Sequence, residues 1–316
     1  MRIAYVEPMA RAFARMRALL FAPFRTRTWF VIGFAAWLAS IFEGSGGSAG
    51  SKFQAEDGSI SEMGESALNF FQTLSLSLLV VVLVILAVFV LFALLWISSR
   101  MKFVFLDQVV TGAARVKEPW ARYATQGDSL FIWRVFFSIL MFFVAGMLVL
   151  ALVVSTGVAA GVGWNEISIA AIVWCGSGLL FLVLIPALYV SLFLDSFVVP
   201  LMYRHGLSVM DAWRRLLPLL RRHAGHFLLF GVVFFVLNVV ATGVIVAAGV
   251  LTCCVGLALF SLPYLGTVIT LPVWIAFRGY SLEYLAQFGE EYRALPPLAP
   301  TPPTAPLPPP PTPPTE

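Results

Sequence analysis

The chain has 316 residues, of which 60% are apolar and 11% are charged. Soluble globular domains are about a quarter charged, so a water-soluble fold is excluded and a multi-pass membrane protein is indicated. The net charge of +4 does not indicate nucleic acid as a partner, because the basic residues border apolar segments, where anionic lipid is nearer. The three cysteines, Cys175, Cys253 and Cys254, do not form the pattern of a disulfide framework.

In chain order, six apolar segments are candidates for membrane spans, at 28–42, 74–97, 135–156, 167–194, 227–251 and 255–277. A helix needs about 20 apolar residues to cross the hydrocarbon core, and the last five segments meet this length. The first segment is shorter. It either crosses with local thinning of the bilayer, which we favour, or re-enters on one side, or acts as a cleaved signal peptide.

The charges between these segments favour the six-span arrangement. All Lys and Arg residues except Lys52 lie in alternate segments, at 1–27, 98–134, 195–226 and 278–316. Positive residues mark the cytoplasmic side of a membrane protein. The pattern therefore predicts that both termini are cytoplasmic, that 43–66 is external, and that 98–134 and 195–226 are cytoplasmic.

The same pattern divides the chain into four parts. In order, they are a cytoplasmic basic amphipathic helix at 1–27, a six-span membrane domain at 28–277, a cytoplasmic segment at 278–295 and a tail at 296–316. The tail is rich in proline and is predicted to be polyproline II or disordered. Its P-x-x-P spacing could dock in an aromatic groove, but no base flanks the prolines, so we expect a dispensable extension.

Two of the cytoplasmic segments contain predicted amphipathic helices. Apolar residues recur every three or four positions at 9–24 and again at 208–226, where Ser208 and Asp211 are spaced as a capping box. Such helices lie in the membrane interface with their bases among head groups. The residues predicted to contact anionic lipid are Arg11, Arg15, Arg214, Arg215, Arg221 and Arg222. The alternative is that these arginines only fix the topology.

A weak internal repeat relates the cytoplasmic segments. Residues 103–121 and 197–214 each begin with Phe-Val at the end of a span and continue through a glycine and a tryptophan toward the next span. Together with the first helix and hairpin, they predict three copies of an interfacial helix followed by a transmembrane hairpin.

The segment at 197–216, FVVPLMYRHGLSVMDAWRRL, resembles a group of uncharacterised bacterial six-span membrane proteins. The markers of this resemblance are Pro200, Gly206, Ala212 and Trp213. That group is similar to the membrane domain fused to some glycerophosphodiester phosphodiesterases. The chain carries no soluble enzyme domain, so the resemblance implies the architecture and a bacterial cytoplasmic membrane but not the activity.

The predicted spans contain no Asp, Glu, Lys, Arg or His, so no catalytic, metal or cofactor site is predicted. Asn238 lies within a span, where its carboxamide is expected to bond to a neighbouring helix. Asp107 and Asp195 follow the second and fourth spans. Ion pairs with Arg100 or Arg204 are favoured there over a cation site.

These observations predict an all-α integral membrane protein, with six transmembrane helices in pseudo-repeated hairpins and cytoplasmic interfacial amphipathic helices. The expected function is non-enzymatic binding of a partner protein, a second copy or anionic lipid at the cytoplasmic face. A small-molecule transporter or channel is the alternative, favoured by the repeats and the prolines within spans. An accessory role in lipid metabolism is a third hypothesis, which rests on the resemblance alone.

Overall fold

The computed structural model of the chain describes residues 4–22, 24–42, 66–252, 256, 259–260 and 262–296. Three predicted features lie wholly or partly outside these residues. They are nearly all of the Pro-rich tail, nearly all of the external segment at 43–66, and part of the sixth apolar segment.

The described residues fold into α-helices, joined by short connections, and contain no strand. The helices, numbered in chain order, are α1 (Val6–Phe21), α2 (Thr26–Ser40), α3 (Ser66–Thr111), α4 (Lys117–Arg122), α5 (Ala124–Gly161), α6 (Glu166–Phe193), α7 (Val199–His205), α8 (Val209–Arg222), α9 (Ala224–Leu251), α10 (Pro263–Ile269) and α11 (Leu271–Ala286). A π turn, Leu194–Val198, joins α6 to α7, and a 3-10 turn, Glu290–Tyr292, follows α11. The all-α prediction is confirmed.

Within the described residues, four stretches of helix are long and apolar enough to cross a membrane. They are Leu78–Thr111, Ala124–Gly161, Glu166–His205 and Ala224–Leu251. The last three contain the third to fifth predicted spans, and the first overlaps the second predicted span from residue 78 onward. The first predicted span forms α2, whose 15 residues fall short of the about 20 that a crossing needs. The described part of the sixth forms α10 and α11, which are separated at Thr270, two residues before Pro272.

Two of the long helices run past the ends of their apolar segments. α3 continues to Thr111, and α6 continues through the π turn into α7, which ends at His205. Both extensions stop at glycines in the left-handed conformation, Gly112 with φ 71° and Gly206 with φ 66°. Each glycine N–H bonds to the carbonyl four residues earlier, which is a common way for glycine to end a helix.

The buried core lies around these extensions, where α1, α2, α8 and α11 also contribute, rather than along most of the four long apolar helices. Residues 78–92 of α3 are exposed at every position, as expected for a helix surrounded by hydrocarbon. By contrast, α3 is almost fully buried from Ser98 to Leu106, where it contacts α2 through Ser98, α5 through Arg100 and the π turn through Lys102. The packed part of the molecule is therefore at the end of the spans that the charge pattern assigns to the cytoplasm.

The first and last helices of the described chain pack against each other. Ala12 of α1 is 1% exposed, and a Cβ added at Gly279 of α11 would lie 3.2 Å from the Ala12 Cβ. Beyond this contact, the Gln287 carboxamide accepts from the Ala4 N–H and donates to the Ala4 carbonyl, both at 2.9 Å. The two ends of the described chain are thereby fixed to one another.

α8 begins as the sequence predicts but buries its apolar face differently. Ser208 Oγ accepts a hydrogen bond from the Asp211 N–H at 3.3 Å, which confirms the first half of the capping box. Val209, Ala212 and Leu216 are at most 1% exposed and belong to the protein core, not to a membrane interface. Apolar periodicity identifies the buried face of a helix without identifying what buries it.

Candidate functional site

An open cavity of about 820 Å³ lies where α2, α3, α5, α6, the π turn, α9 and α11 converge. Its walls are largely apolar and aromatic, and they include Ile185, Leu188, Phe234, Phe235, Trp274 and Phe277. Cavities of this size and composition bind organic ligands in many proteins. This cavity is the candidate binding site.

Four charged side chains line the cavity among these apolar residues. They are Lys102, Arg134, Asp195 and Arg278, from α3, α5, the π turn and α11 in turn. Three positive charges therefore face one negative charge. A cation in apolar surroundings is stabilised by an anion beside it, so this lining suits an anionic ligand.

Lys102 and Asp195 form an ion pair in the cavity. The Lys102 side chain is 3% exposed, and the Asp195 carbonyl accepts a hydrogen bond from Arg278 Nη1. Asp195 lies in the π turn, a wider helical turn that often occurs at functional sites. The turn thus presents the carboxylate and the carbonyl of one residue to cations from two other helices.

Arg134 is held by weaker contacts. Its Nη1 donates to Ser98 Oγ at 3.3 Å and to Ser99 Oγ at 3.4 Å, both longer than the usual 2.9 Å or so. Within the part of the chain that the structure describes, no carboxylate forms an ion pair with Arg134. Its guanidinium is therefore placed to bind an anion that enters the cavity.

The polar contacts expected at Asp107 and Asp195 form with other partners. Asp195 pairs with Lys102, and Asp107 accepts a hydrogen bond from the Tyr203 hydroxyl at 2.9 Å. Neither contact uses the arginines that sequence proximity suggested. Both join helices that are more than 90 positions apart in the chain, so only the tertiary structure selects the partner.

The charged cluster was missed because its members lie just outside the apolar segments. Lys102 follows the second segment, Arg134 precedes the third, Asp195 follows the fourth and Arg278 follows the sixth. A signal was present, since all four lie within about two helical turns of a segment end, on the side assigned to the cytoplasm. Their convergence depends on how the helices pack, and the spacing of these residues along the chain does not predict that packing.

Asn238 also lines the cavity. Its side-chain Nδ2 donates at 2.9 Å to the Phe234 carbonyl, one turn earlier in α9. This bond lies within one helix, whereas the sequence predicted a bond between helices. The carboxamide therefore adds a polar group to an otherwise apolar wall of the cavity.

The four arginines predicted on α8 are all exposed. They are Arg214, Arg215, Arg221 and Arg222. The Arg214 side chain is 82% exposed, and its Nη1 lies 3.5 Å from Asp211 Oδ1. Such exposed pairs contribute little free energy, so the pair leaves Arg214 available for another anion.

The two arginines predicted on α1 contact carboxylates of the protein itself. Arg15 Nε donates to Glu283 Oε1 at 2.7 Å, and Arg15 Nη2 donates to the Pro296 carbonyl at 2.6 Å. Arg11 Nη2 donates to Glu7 at 2.5 Å, and Arg11 Nη1 lies 3.9 Å from Glu283. Lipid contact at these two arginines stays a prediction, and the structure gives both a role in fixing α1 to α11.

Comparison with known proteins gives a family for the chain without a function. The chain belongs to a family of unknown function (DUF7544), whose family model matches residues 4–262. The match includes α1 to α9 and ends before α10. No curated protein and no solved structure matches the chain.

Proposed function

We propose that this protein is a non-enzymatic, six-span protein of the bacterial cytoplasmic membrane that binds anionic lipid head groups through α8. The alternation of basic segments supports cytoplasmic positions for both termini. In this topology α2 is the first span, and α10 with the start of α11 belongs to the sixth. The observation that carries the proposal is the row of exposed arginines on α8, Arg214, Arg215, Arg221 and Arg222.

The packing of α8 holds these arginines in a fixed orientation. Val209, Ala212 and Leu216 anchor the opposite face of the helix in the core, so α8 cannot rotate to bury its charges. Each basic residue near an anionic bilayer contributes about 1 kcal/mol of binding free energy. α8 carries four such arginines on one short helix and one acidic residue, Asp211, in its first turn. This excess of positive charge makes α8 the favoured contact with head groups.

α1 is the weaker candidate for the same contact. Glu7 and Glu283 lie within ion-pair distance of Arg11, and Glu283 also binds Arg15. Their negative charges offset much of the attraction to a lipid phosphate. The proposed function therefore predicts a larger loss of lipid binding from changes on α8 than from changes on α1.

The test compares the full chain with a variant in which all four arginines of α8 are replaced by glutamine. The salt-sensitive binding of phosphatidylglycerol, which is the part expected at an exposed surface, is measured by native mass spectrometry in detergent, and we expect its affinity to fall at least about tenfold. A control variant removes four other bases by the substitutions Arg115→Gln, Lys117→Gln, Arg122→Gln and Arg293→Gln. Equal losses in both variants would contradict a site on α8.

A transporter or channel is the second candidate, favoured by the cavity. Transporters bind substrates between their helices, often next to a broken helix, and the break at Thr270 lies one turn before Trp274 of the cavity wall. Gradient-driven uptake by the purified protein in liposomes would support this function. Lipid binding without uptake would favour the first proposal.

A further inference from the structure

We infer that the cavity binds one anionic phospholipid, with its phosphate beside Arg134 and an acyl chain against the walls formed by α6 and α9. The site is distinct from α8, and the inference does not depend on the proposed function. None of the α8 arginines lines the cavity. Lipid binding at the cavity and lipid binding at α8 can therefore be tested separately.

The charge of the cavity selects an anion. The lining includes three cationic side chains, those of Lys102, Arg134 and Arg278. The carboxylate in the lining is that of Asp195. The Lys102–Asp195 pair already matches one cation with one anion. A phosphate beside Arg134 would be attracted strongly to its guanidinium in these largely apolar surroundings.

The guanidinium of Arg134 is the group best suited to hold the phosphate. Its contacts to Ser98 Oγ and Ser99 Oγ are long, at 3.3 and 3.4 Å, so an anion can replace them at low cost. Guanidinium groups bind phosphate through two parallel hydrogen bonds. Asn238 lies in the same lining, where its carboxamide can contact the polar backbone of a lipid.

The walls of the cavity favour a lipid over a soluble anion. Leu188 of α6 and Phe235 of α9 line the cavity, yet each is 68% exposed. Both belong to helices long and apolar enough to cross a membrane. The cavity therefore opens on a surface that faces hydrocarbon, so a ligand with an acyl chain can enter from the bilayer.

Native mass spectrometry of the full chain in detergent tests the affinity and the chemistry. The probes are dioleoyl phosphatidylglycerol, dioleoyl phosphatidylcholine with the same chains, and water-soluble glycerol phosphate. We expect one tight phosphatidylglycerol site that persists at high salt, because a partly buried charge contact is screened less than a surface contact. Equal binding of phosphatidylcholine, or equally tight binding of glycerol phosphate, would overturn the inference.

Two variants locate the site. Arg134→Gln should weaken the tight site about tenfold or more, whereas Arg134→Lys keeps the charge and should lose less. Asn238→Asp adds a second carboxylate to the lining and should also weaken binding. If Arg134→Gln lowers the melting temperature in lipid-free detergent, its lipid affinity is not informative and the affinity of Asn238→Asp is used instead. The inference is contradicted if either variant folds correctly and binds phosphatidylglycerol with unchanged affinity.

The α8 variant and a photolabel distinguish this site from the surface site. Replacing the four arginines of α8 should leave the tight site intact, and its loss in that variant alone would place it on α8. Phosphatidylglycerol with a photoreactive group in mid-chain should label peptides that contain Leu188 or Phe235. Labelling confined to the fully exposed part of α3, 78–92, would show general contact with lipid and overturn the inference.

Discussion

Arg15 and Glu283, 268 positions apart in the chain, are joined by a hydrogen bond of 2.7 Å between Nε and Oε1. The Glu283 side chain is 7% exposed and that of Arg15 is 20% exposed. Burying one charge without its partner is much more costly than burying the pair. This contact therefore contributes to the docking of α1 on α11.

Glu283→Gln should destabilise the protein, because Arg15 would lose its carboxylate while remaining half-buried. We expect a loss of about 2 kcal/mol, measured as a lower melting temperature in detergent. Glu290→Gln is the matched control, since Glu290 is 79% exposed and pairs with Arg293 three residues later. A shift of the same size in both variants would show that Glu283 has no special role.

Gly279→Leu should separate α1 from α11. An added Cβ at this position already lies 3.2 Å from the Ala12 Cβ, so a larger side chain cannot fit unless the helices move apart. We expect faster proteolysis within α1. In Gly178→Leu, the control, the new Cβ has no heavy atom within 4 Å, and the cleavage rate should stay as in the unmodified chain.

The Lys102–Asp195 pair should behave as a coupled unit. Asp195→Asn removes the carboxylate that pairs with the buried ammonium of Lys102, and we expect a lower melting temperature because breaking a buried ion pair is destabilising. The double variant Lys102→Met with Asp195→Asn removes both charges and should recover much of that loss in melting temperature. A double variant no more stable than Asp195→Asn would argue against coupling between the two residues.

The sequence predicted the helices, including the four that are long and apolar enough to cross a membrane, because runs of apolar residues have few stable alternatives to a helical span. The Ser208 cap was also predictable, because it depends on residues that are neighbours in the chain. The apolar face of α8 was identified, but Val209 and Ala212 are buried by protein rather than by lipid. The cavity was not foreseen, because Lys102 and Arg278 meet only through packing between distant helices.

The topology can be checked with reporter fusions. Fusions after Gly50 and Gly163 should report an external position, and fusions after Arg115 and Arg222 a cytoplasmic one, because the basic segments stay on the cytoplasmic side. Gly50 lies outside the described residues, so the fusion there also tests whether 28–42 crosses the bilayer. An external signal at Arg115 would exclude the six-span arrangement.

The docking of α1 on α11 has a consequence for biosynthesis. A ribosome releases α1 first, yet the surface that receives Ala12 and Arg15 belongs to the last long helix to emerge. The four long apolar helices can enter a bilayer in order, but α1 cannot dock on α11 until translation passes Glu283. During that interval Ala12 and Leu20, both 1% exposed in the finished protein, lack their native cover and present an aggregation-prone surface. Nascent chains that stall before α11 should therefore be recognised by chaperones through their N-terminal helix.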